Sequence, residues 1–358
     1  MEEREVLERI EARRQRASRR LLDERVTLAH GAGGRSTQAL IEALLLPALR
    51  NPLLEPLADS AVLALDTGAR LAFSTDSYVV KPPSFPGGDI AKLAVHGTIN
   101  DLAVCGARPL ALSAALILEE GLEVAQLERY VGSLGEAARA AGVPIATGDT
   151  KVVEHGKADG LYVTTAGIGL IPTGVELGPT RVLPGDRVLL SGTIADHGMA
   201  VLVARGELEL EGEIESDTAP LHELVAKLLD ACGPEVRWMR DPTRGGLATA
   251  LNELARAARY GVALEESALP VAPIVAGACE ILGIDPLYVA NEGKLVAVVA
   301  AQASDAALEA LRTHPLGADA VLIGEIRAEP PGMVILNTAF GGSRVVDTLA
   351  GDPLPRIC

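Results

Sequence analysis

Four acidic positions sit among small, polar neighbours that could hold a metal-bound phosphate. They are Asp76 in Ser74-Thr75-Asp76-Ser77, Asp101 after Asn100, Asp149 in Gly148-Asp149-Thr150-Lys151, and Asp241 in Asp241-Pro242-Thr243-Arg244-Gly245-Gly246. Carboxylates are the hard oxygen ligands that Mg2+ prefers, and the ion then bridges to phosphate oxygens. Taken singly, each reads more readily as a cap or turn aspartate; the case rests on four together, and spacing alone does not make them converge. The loop His30-Gly31-Ala32-Gly33-Gly34-Arg35 offers backbone N–H groups to an anion at a helix start. It matches neither a dinucleotide fingerprint nor a Walker A loop, and a plain turn explains it as well. Lys92, His96 and Asn100 recur at i, i+4 and i+8 and so share a helix face, by default a solvated one. The chain has only six lysines, yet Lys92, Lys151 and Lys294 fall within these Gly/Asp-rich segments. Glu292, in Asn291-Glu292-Gly293-Lys294, is either a general base at a sheet edge or an exposed turn residue. Last comes Gly351-Asp352-Pro353-Leu354-Pro355-Arg356-Ile357-Cys358, whose prolines predict an extended arm without ladder partners and with little buried area. A cysteine on such an arm can reach a distant site, unless it is an incidental terminal residue.

The elements that must position these residues follow from hydrophobic periodicity. Residues 1–25 hold eight arginines and seven acids and read as a solvated helical extension. Ser36 or Thr37 is the expected cap of the helix after the Gly-rich loop. Strands are predicted at 61–65, 71–75, 111–118, 143–147 and 161–168, and helices over 90–105 (Asp89 near its start) and 124–141. Asp76 and Asp149 then lie just past strands, where open α/β sheets place ligand sites. Beyond a junction near 169–184 the alternation continues: strands at 187–191, 295–300 and 320–323, and helices from 196, 219, 245 and 304. The fold class is mixed α/β in two halves, with parallel and mixed sheets both open.

A net charge of −16 and 3% aromatic residues argue against nucleic-acid binding. No apolar run approaches the ~20 residues of a bilayer span, and the N-terminus lacks a signal-peptide core. The four cysteines (Cys105, Cys232, Cys279, Cys358) form no CxxC pair. A cytoplasmic enzyme away from the membrane is the expectation.

The segments STDSYVV, FPGGDIAKLAVHGTINDLAVCGARPLALSAALILEEG, GVPIATGDTKVVEHG, DPTRGGLATALNELA, NEGK and the closing PRIC together resemble the HypE family of hydrogenase maturation factors, over residues 26–358. GDTK and DPTRGG are shared with the wider aminoimidazole-ribonucleotide-synthetase-like (PurM-like) superfamily of ATP users. The resemblance implies a two-domain PurM-like α/β fold of mixed sheets: an ATP-binding domain dimerising through its sheet (26–170), a C-terminal α/β domain (171–344) and a flexible tail (345–358), after the extension 1–25. It also implies a reaction, in which a HypF-type carbamoyltransferase loads a carboxamide onto Cys358. ATP-dependent dehydration then yields an S-cyanide, which passes to iron held by a HypC–HypD complex for [NiFe]-hydrogenase. The implied cofactors are ATP and Mg2+, the metal ligands Asp76, Asp101, Asp241 and Asp149. The nucleotide contacts implied are Gly33, Gly34, Asp76, Lys92, Asn100, Asp149, Thr150 and Arg244. Cys358 would carry the group, Lys151 would supply positive charge and Glu292 would take the proton. Two other readings remain: another enzyme of the superfamily (selenophosphate synthetase, thiamine-monophosphate kinase or purine cyclo-ligase), or a nonenzymatic thiol carrier. Selenophosphate synthesis would want a cysteine in the Gly-rich loop, which has none, and a kinase or cyclo-ligase gains nothing from a tethered terminal thiol.

Overall fold

A computed structural model describes residues 24–31, 33–206, 212–349, 354 and 356–358; the expected helical extension lies almost wholly outside them. Helix α1 (Arg35–Leu40) follows the Gly-rich loop. Its N-cap is Gly34, and Thr37 instead turns its hydroxyl back to accept from the Gly33 N–H at 2.9 Å, so the helix starts earlier than a Ser36 or Thr37 cap predicts. The segment docks on the C-terminal half: the Arg35 N–H donates to the Leu349 carbonyl at 2.9 Å and Arg256 to Gln38 Oε1 at 2.6 Å.

The first sheet contains β1 (Ala61–Ala64), β2 (Arg70–Tyr78), β3 (Arg108–Glu119), β4 (Ile145–Val153) and β5 (Leu161–Ile171), in the order β1-β2-β5-β3-β4. Only β3 and β4 pair in parallel, and helix α3 (Val124–Ala140) makes the crossover that parallel pairing requires. Period-2 alternation turns Ala72, Ser74 and Tyr78 of β2 inward onto helix α2 (Ile90–Val104) and leaves Phe73, Thr75 and Ser77 outside. Asp76 and Asp149 therefore lie inside strands rather than beyond their ends, because their polar runs continue the ladder.

Nearly all of α2 is buried, so it is a core helix between the two halves and not one with a solvated Lys92–His96–Asn100 face. Asp89 is its N-cap, accepting from the Ala91 and Lys92 N–H groups at 2.9 Å each.

The second sheet contains β6 (Arg187–Leu190), β7 (Val236–Arg240), β8 (Gly261–Glu265), β9 (Val296–Val299), β10 (Val321–Arg327), β11 (Val334–Asn337) and β12 (Ser343–Val346), in the order β12-β11-β8-β10-β6-β9-β7. Only β8 and β11 are parallel, which settles the sheets as mixed. Helices α4 (Asp196–Ala204), α5 (His222–Cys232), α6 (Gly246–Ala258), α7 (Pro273–Leu282) and α8 (Ser304–Arg312) accompany it. Periodicity missed β7, β8, β11, β12 and α7, short elements bounded by Gly and Pro. Among these, β8 lies in the sheet interior and buries nearly every residue, leaving no alternation to read.

Candidate active site

The acidic residues converge where α2 meets the second sheet. Asp101 comes from the last turns of α2, Asp241 follows β7, and Asp59 precedes β1. One carboxylate oxygen from each lies within 4.8 Å of the other two. Ser74 Oγ stands 2.6 Å from Asp101 Oδ2 and 2.9 Å from the Asp59 carbonyl, one hydroxyl shared between two acceptors. Arg240 Nε balances Asp59 at 2.8 Å. Burial is the first cause that lifts Asp59 to about 6, Asp241 to about 8, and Asp101 well above the usual carboxylate range, and neighbouring charges, Asp76 among them, add to each. Buried oxygen donors with excess negative charge fit a small divalent cation such as Mg2+, which would stabilise them ionised. Asp59 was not singled out in the sequence; an aspartate in Leu-Ala-Asp-Ser carries no glycine or threonine signal.

Glu292 is a buried acid and not an exposed turn residue: it is 2% exposed, and its Oε1 has no hydrogen-bond partner among the described residues. Burial, then Asp241, Asp217 and Asp76, push its carboxyl well above the ordinary range. Its backbone is clamped by Asp217, which accepts from the Glu292 N–H at 3.0 Å and the Gly293 N–H at 3.3 Å while Lys294 Nζ stands 3.4 Å away. A Cβ on Gly293 would fall 1.8 Å from the Asp217 carbonyl oxygen, so only glycine fits this turn. Asn100 braces it from α2: its Nδ2 donates to the carbonyls of Glu292 (3.2 Å) and Ala219 (3.1 Å), and its Oδ1 accepts from the Leu221 N–H at 2.7 Å. Fully buried and with both ends of its amide engaged, Asn100 orients Glu292 and is not placed to meet a nucleotide.

The tail enters this site. It is not simply extended, since Arg356 takes a left-handed turn conformation (φ +60°), and it has partners: Val79 N–H donates to the Cys358 carbonyl at 3.3 Å and Lys81 N–H to the Arg356 carbonyl at 3.1 Å. His197 Nε2 lies 2.7 Å from the Ile357 carbonyl, and Arg205 donates to the Arg356 carbonyl at 2.6 Å. Leu354 and Ile357 are buried, which corrects the expectation of a free arm with little buried area. Cys358 is half-buried. Its charge when ionised is the first cause that holds the Arg244 guanidinium charged, ahead of Asp76 and Glu292 and against the desolvation of burial. The same charges, after burial itself, raise Tyr78, whose hydroxyl donates to Asp76 Oδ2 at 3.1 Å. Cys358, Arg244, Tyr78, Asp76 and Glu292 thus form one electrostatic neighbourhood.

The remaining candidates divide. Gly33 (φ +75°) packs on Arg244, so that a Cβ there would meet the Arg244 carbonyl oxygen at 2.9 Å, and the Gly33-Gly34 turn is brought to the site. Lys92 begins α2, nine residues before Asp101 and so about 13 Å away along the axis. Asp149, Thr150 and Lys151 do not join the cluster within one chain. Asp149 aligns with Ala115 of β3, then Thr164 of β5 and Ser77 of β2, in the register facing away from α2. Asp149 and Lys151 pair at 2.8 Å with side chains 61% and 69% exposed.

Residues 57–171 match the N-terminal domain, and 184–337 the C-terminal domain, of the family described as AIR synthase related protein. Carbamoyl dehydratase HypE of Cupriavidus necator is 54% identical over 334 residues, covering 93% of this chain and 95% of that one. A solved HypE–HypF complex superposes with a TM-score of 0.82 at 46% identity over 87% of this chain and 100% of that one. A hydrogenase maturation protein HypE in complex with ATP gives 0.78 at 46% identity, covering 93% and 100%.

Proposed function

The chain belongs to the HypE family, a carbamoyl dehydratase of hydrogenase maturation, and from that premise we propose how its own residues divide the work. The substrate is an S-carboxamide on Cys358, loaded by a HypF-type carbamoyltransferase, and ATP drives its dehydration to a thiocyanate. The observation that carries this reading is the docked tail, whose Cys358 acts electrostatically on Arg244, as Glu292 does.

An amide oxygen is a poor leaving group. Transfer of the γ-phosphoryl group to the carboxamide oxygen gives S–C(O-phosphoryl)=NH with loss of one N–H proton, and departure of phosphate with loss of the second leaves S–C≡N. Arg244 supplies the positive charge that stabilises that oxygen in this reading. Glu292, desolvated and therefore a stronger base than in water, takes the protons in this reading, with its backbone fixed by Asp217 and Asn100. Asp59, Asp101 and Asp241, with Asp76, are the residues that would hold Mg2+, whose chemistry is to neutralise phosphate charge.

A homodimer completes the arrangement. Phe73, Leu110, Ile168 and Leu170 form an exposed apolar patch on the outer face of the first sheet, continuous with the register of Asp149 and Lys151. A second copy covering this face supports a site in which one chain supplies Glu292 and the other supplies Asp149, Thr150 and Lys151. Family membership further supports delivery of the cyanide to a HypC–HypD complex, in the cytoplasm. Among the described residues no helix is long and apolar enough to cross a membrane. Intact-mass measurement tests the reaction: incubation with the carbamoyltransferase should add a carboxamide to Cys358, and ATP should then remove the mass of one water. An adduct unchanged by Mg-ATP would sink the reading.

A further inference from the structure

The segment 214–218 carries contacts that the chemistry above leaves unused. Ser216 and Asp217 are neighbours facing opposite tasks. Asp217 clamps the Glu292–Gly293 turn. Ser216 Oγ lies 2.8 Å from Nδ1 of His197, a fully buried ring whose Nε2 is 2.7 Å from the carbonyl of Ile357, the residue before Cys358. A carbonyl only accepts, so the ring hydrogen sits on Nε2. Burial depresses the imidazolium and keeps the ring neutral, leaving Nδ1 to accept from the Ser216 hydroxyl. Ser216 Oγ in turn accepts from the Thr218 N–H at 3.2 Å, so the hydroxyl's own hydrogen is directed at the ring. Phe85 stands edge-on to the imidazole at 5.4 Å and 82°, which fixes the ring plane. The strap is anchored to the first half by the Ser216 N–H, which donates to the Pro86 carbonyl at 2.8 Å, and by Thr218 Oγ1, 3.1 Å from His96 Nδ1.

Resting on the dehydratase reading, we propose that His197, braced by Ser216, is the positioning residue that seats the carbamoylated tail, and that the strap 214–218 aligns the seated tail with Glu292. Two hydrogen bonds grip the Cys358 main chain on either side of its Cα: His197 holds the Ile357 carbonyl before it and the Val79 N–H holds the Cys358 carbonyl after it. Together they direct Sγ. Val79 belongs to the first half and His197 to the second, so the thiol is aligned only while both halves hold it. Because Ser216 and Asp217 are adjacent, a shift of the strap that loosened the tail would also move the Glu292 backbone.

Alkylation of Cys358 by iodoacetamide in the full-length protein, followed by peptide mass mapping, reads tail seating without any partner. His197→Ala should raise the alkylation rate about fivefold, the loss expected for one hydrogen bond, and slow single-turnover dehydration of the carbamoylated protein while ATP still binds. His197→Gln, whose amide can donate to the Ile357 carbonyl, should restore most of both. Ser216→Ala leaves the ring in place and should speed alkylation about twofold, as expected of a weakened rather than a lost hydrogen bond; this variant keeps the test decisive if His197→Ala does not fold. Asp217→Asn should slow dehydration and leave the alkylation rate unchanged. Equal alkylation of wild type and the His197 or Ser216 variants overturns the seating role whatever happens to dehydration, and wild-type dehydration in Asp217→Asn overturns the alignment role. A wild-type protein that alkylates slowly but never dehydrates would instead fail the dehydratase reading, leaving the seating measurement standing.

Discussion

Asn100, on the long helix of the first half, places its side-chain nitrogen 3.2 Å from the main-chain carbonyl of Glu292 in the second half. Its amide also satisfies the Ala219 carbonyl and the Leu221 N–H, so one side chain closes three buried backbone groups at the seam between the halves. Asn100→Ala should therefore destabilise the protein by about 3 kcal/mol, the cost of stranding such groups without solvent, and should reduce dehydration further than stability explains, because Glu292 loses its brace. Urea unfolding alongside single-turnover assays at a temperature where the variant is folded separates the two effects.

The acidic cluster predicts opposite consequences for the apo and liganded protein. Asp101→Asn removes one of several crowded carboxyls, so the thermal midpoint without nucleotide should be unchanged or higher. The increment on adding Mg-ATP should vanish, and calorimetry should show binding weakened at least tenfold. Asp241→Asn and Asp76→Ala should also weaken binding. Wild-type Mg-ATP affinity in all three variants would disprove the metal assignment.

Cys358→Ala should abolish carboxamide acceptance and leave stability within about 0.5 kcal/mol, as for other changes outside the core. Removing residues 354–358 should cost more, about 3 kcal/mol, since Leu354 and Ile357 each bury an aliphatic side chain. The other thiols will not substitute, because burial raises Cys105 to about 12 and Cys279 to about 11. Differential scanning calorimetry of the two variants against wild type checks the contrast.

The shared-site dimer predicts complementation. Lys151→Ala and Glu292→Gln should each be inactive alone, yet a refolded equimolar mixture should recover about one quarter of wild-type activity, since half the dimers are mixed and each mixed dimer has one intact site. Phe73→Glu should yield a monomer by light scattering. No recovery in the mixture would place Lys151 and Glu292 in the same subunit's site or outside it.

His96 predicts the acid limb of stability. Burial first, then Lys92 and His222, lower it to about 4 from the ordinary 6.5. The folded state then binds fewer protons than the unfolded one between those values, so this contribution is complete above about pH 6.5 and is lost as pH falls toward 4. The full loss is about 3 kcal/mol. His96→Gln should flatten unfolding free energy over that range relative to wild type, with the residual slope due partly to His197, which is lowered in the same direction.

Asp101, Asp241 and Glu292 stood out in the sequence because each sits in a short polar break between apolar runs, and Cys358 because it ends a proline-rich tail, patterns that survive without knowledge of the fold. Asp59 was not, since its role depends on Ser74, Asp101 and Arg240, brought to it by the pairing of β1 with β2 and by the seam between the halves. Asn100 was legible as a polar residue on a helix, but its helix is buried all round, which reverses the meaning of a polar face. Asp149 and Lys151 were found by their neighbours yet lie on the far side of the sheet, a consequence of register that a one-residue difference in strand alternation would change. The docking of the tail was hidden because Val79, Lys81 and His197 are remote in sequence and engage main-chain atoms, which leave no trace in side-chain pattern.

That engagement of main-chain atoms makes the tail a measured length rather than a spelled word. The Lys81 N–H holds the Arg356 carbonyl, His197 the Ile357 carbonyl and the Val79 N–H the Cys358 carbonyl, so the sulfur is located by counting peptide units from the buried Leu354. One residue inserted or removed between Arg356 and Cys358 would take these carbonyls out of register with their donors and carry the thiol past its place, whereas an exchange of one aliphatic residue for another at 357 would leave it where it is. The spacing of the last residues is thus constrained by geometry far more tightly than their identity.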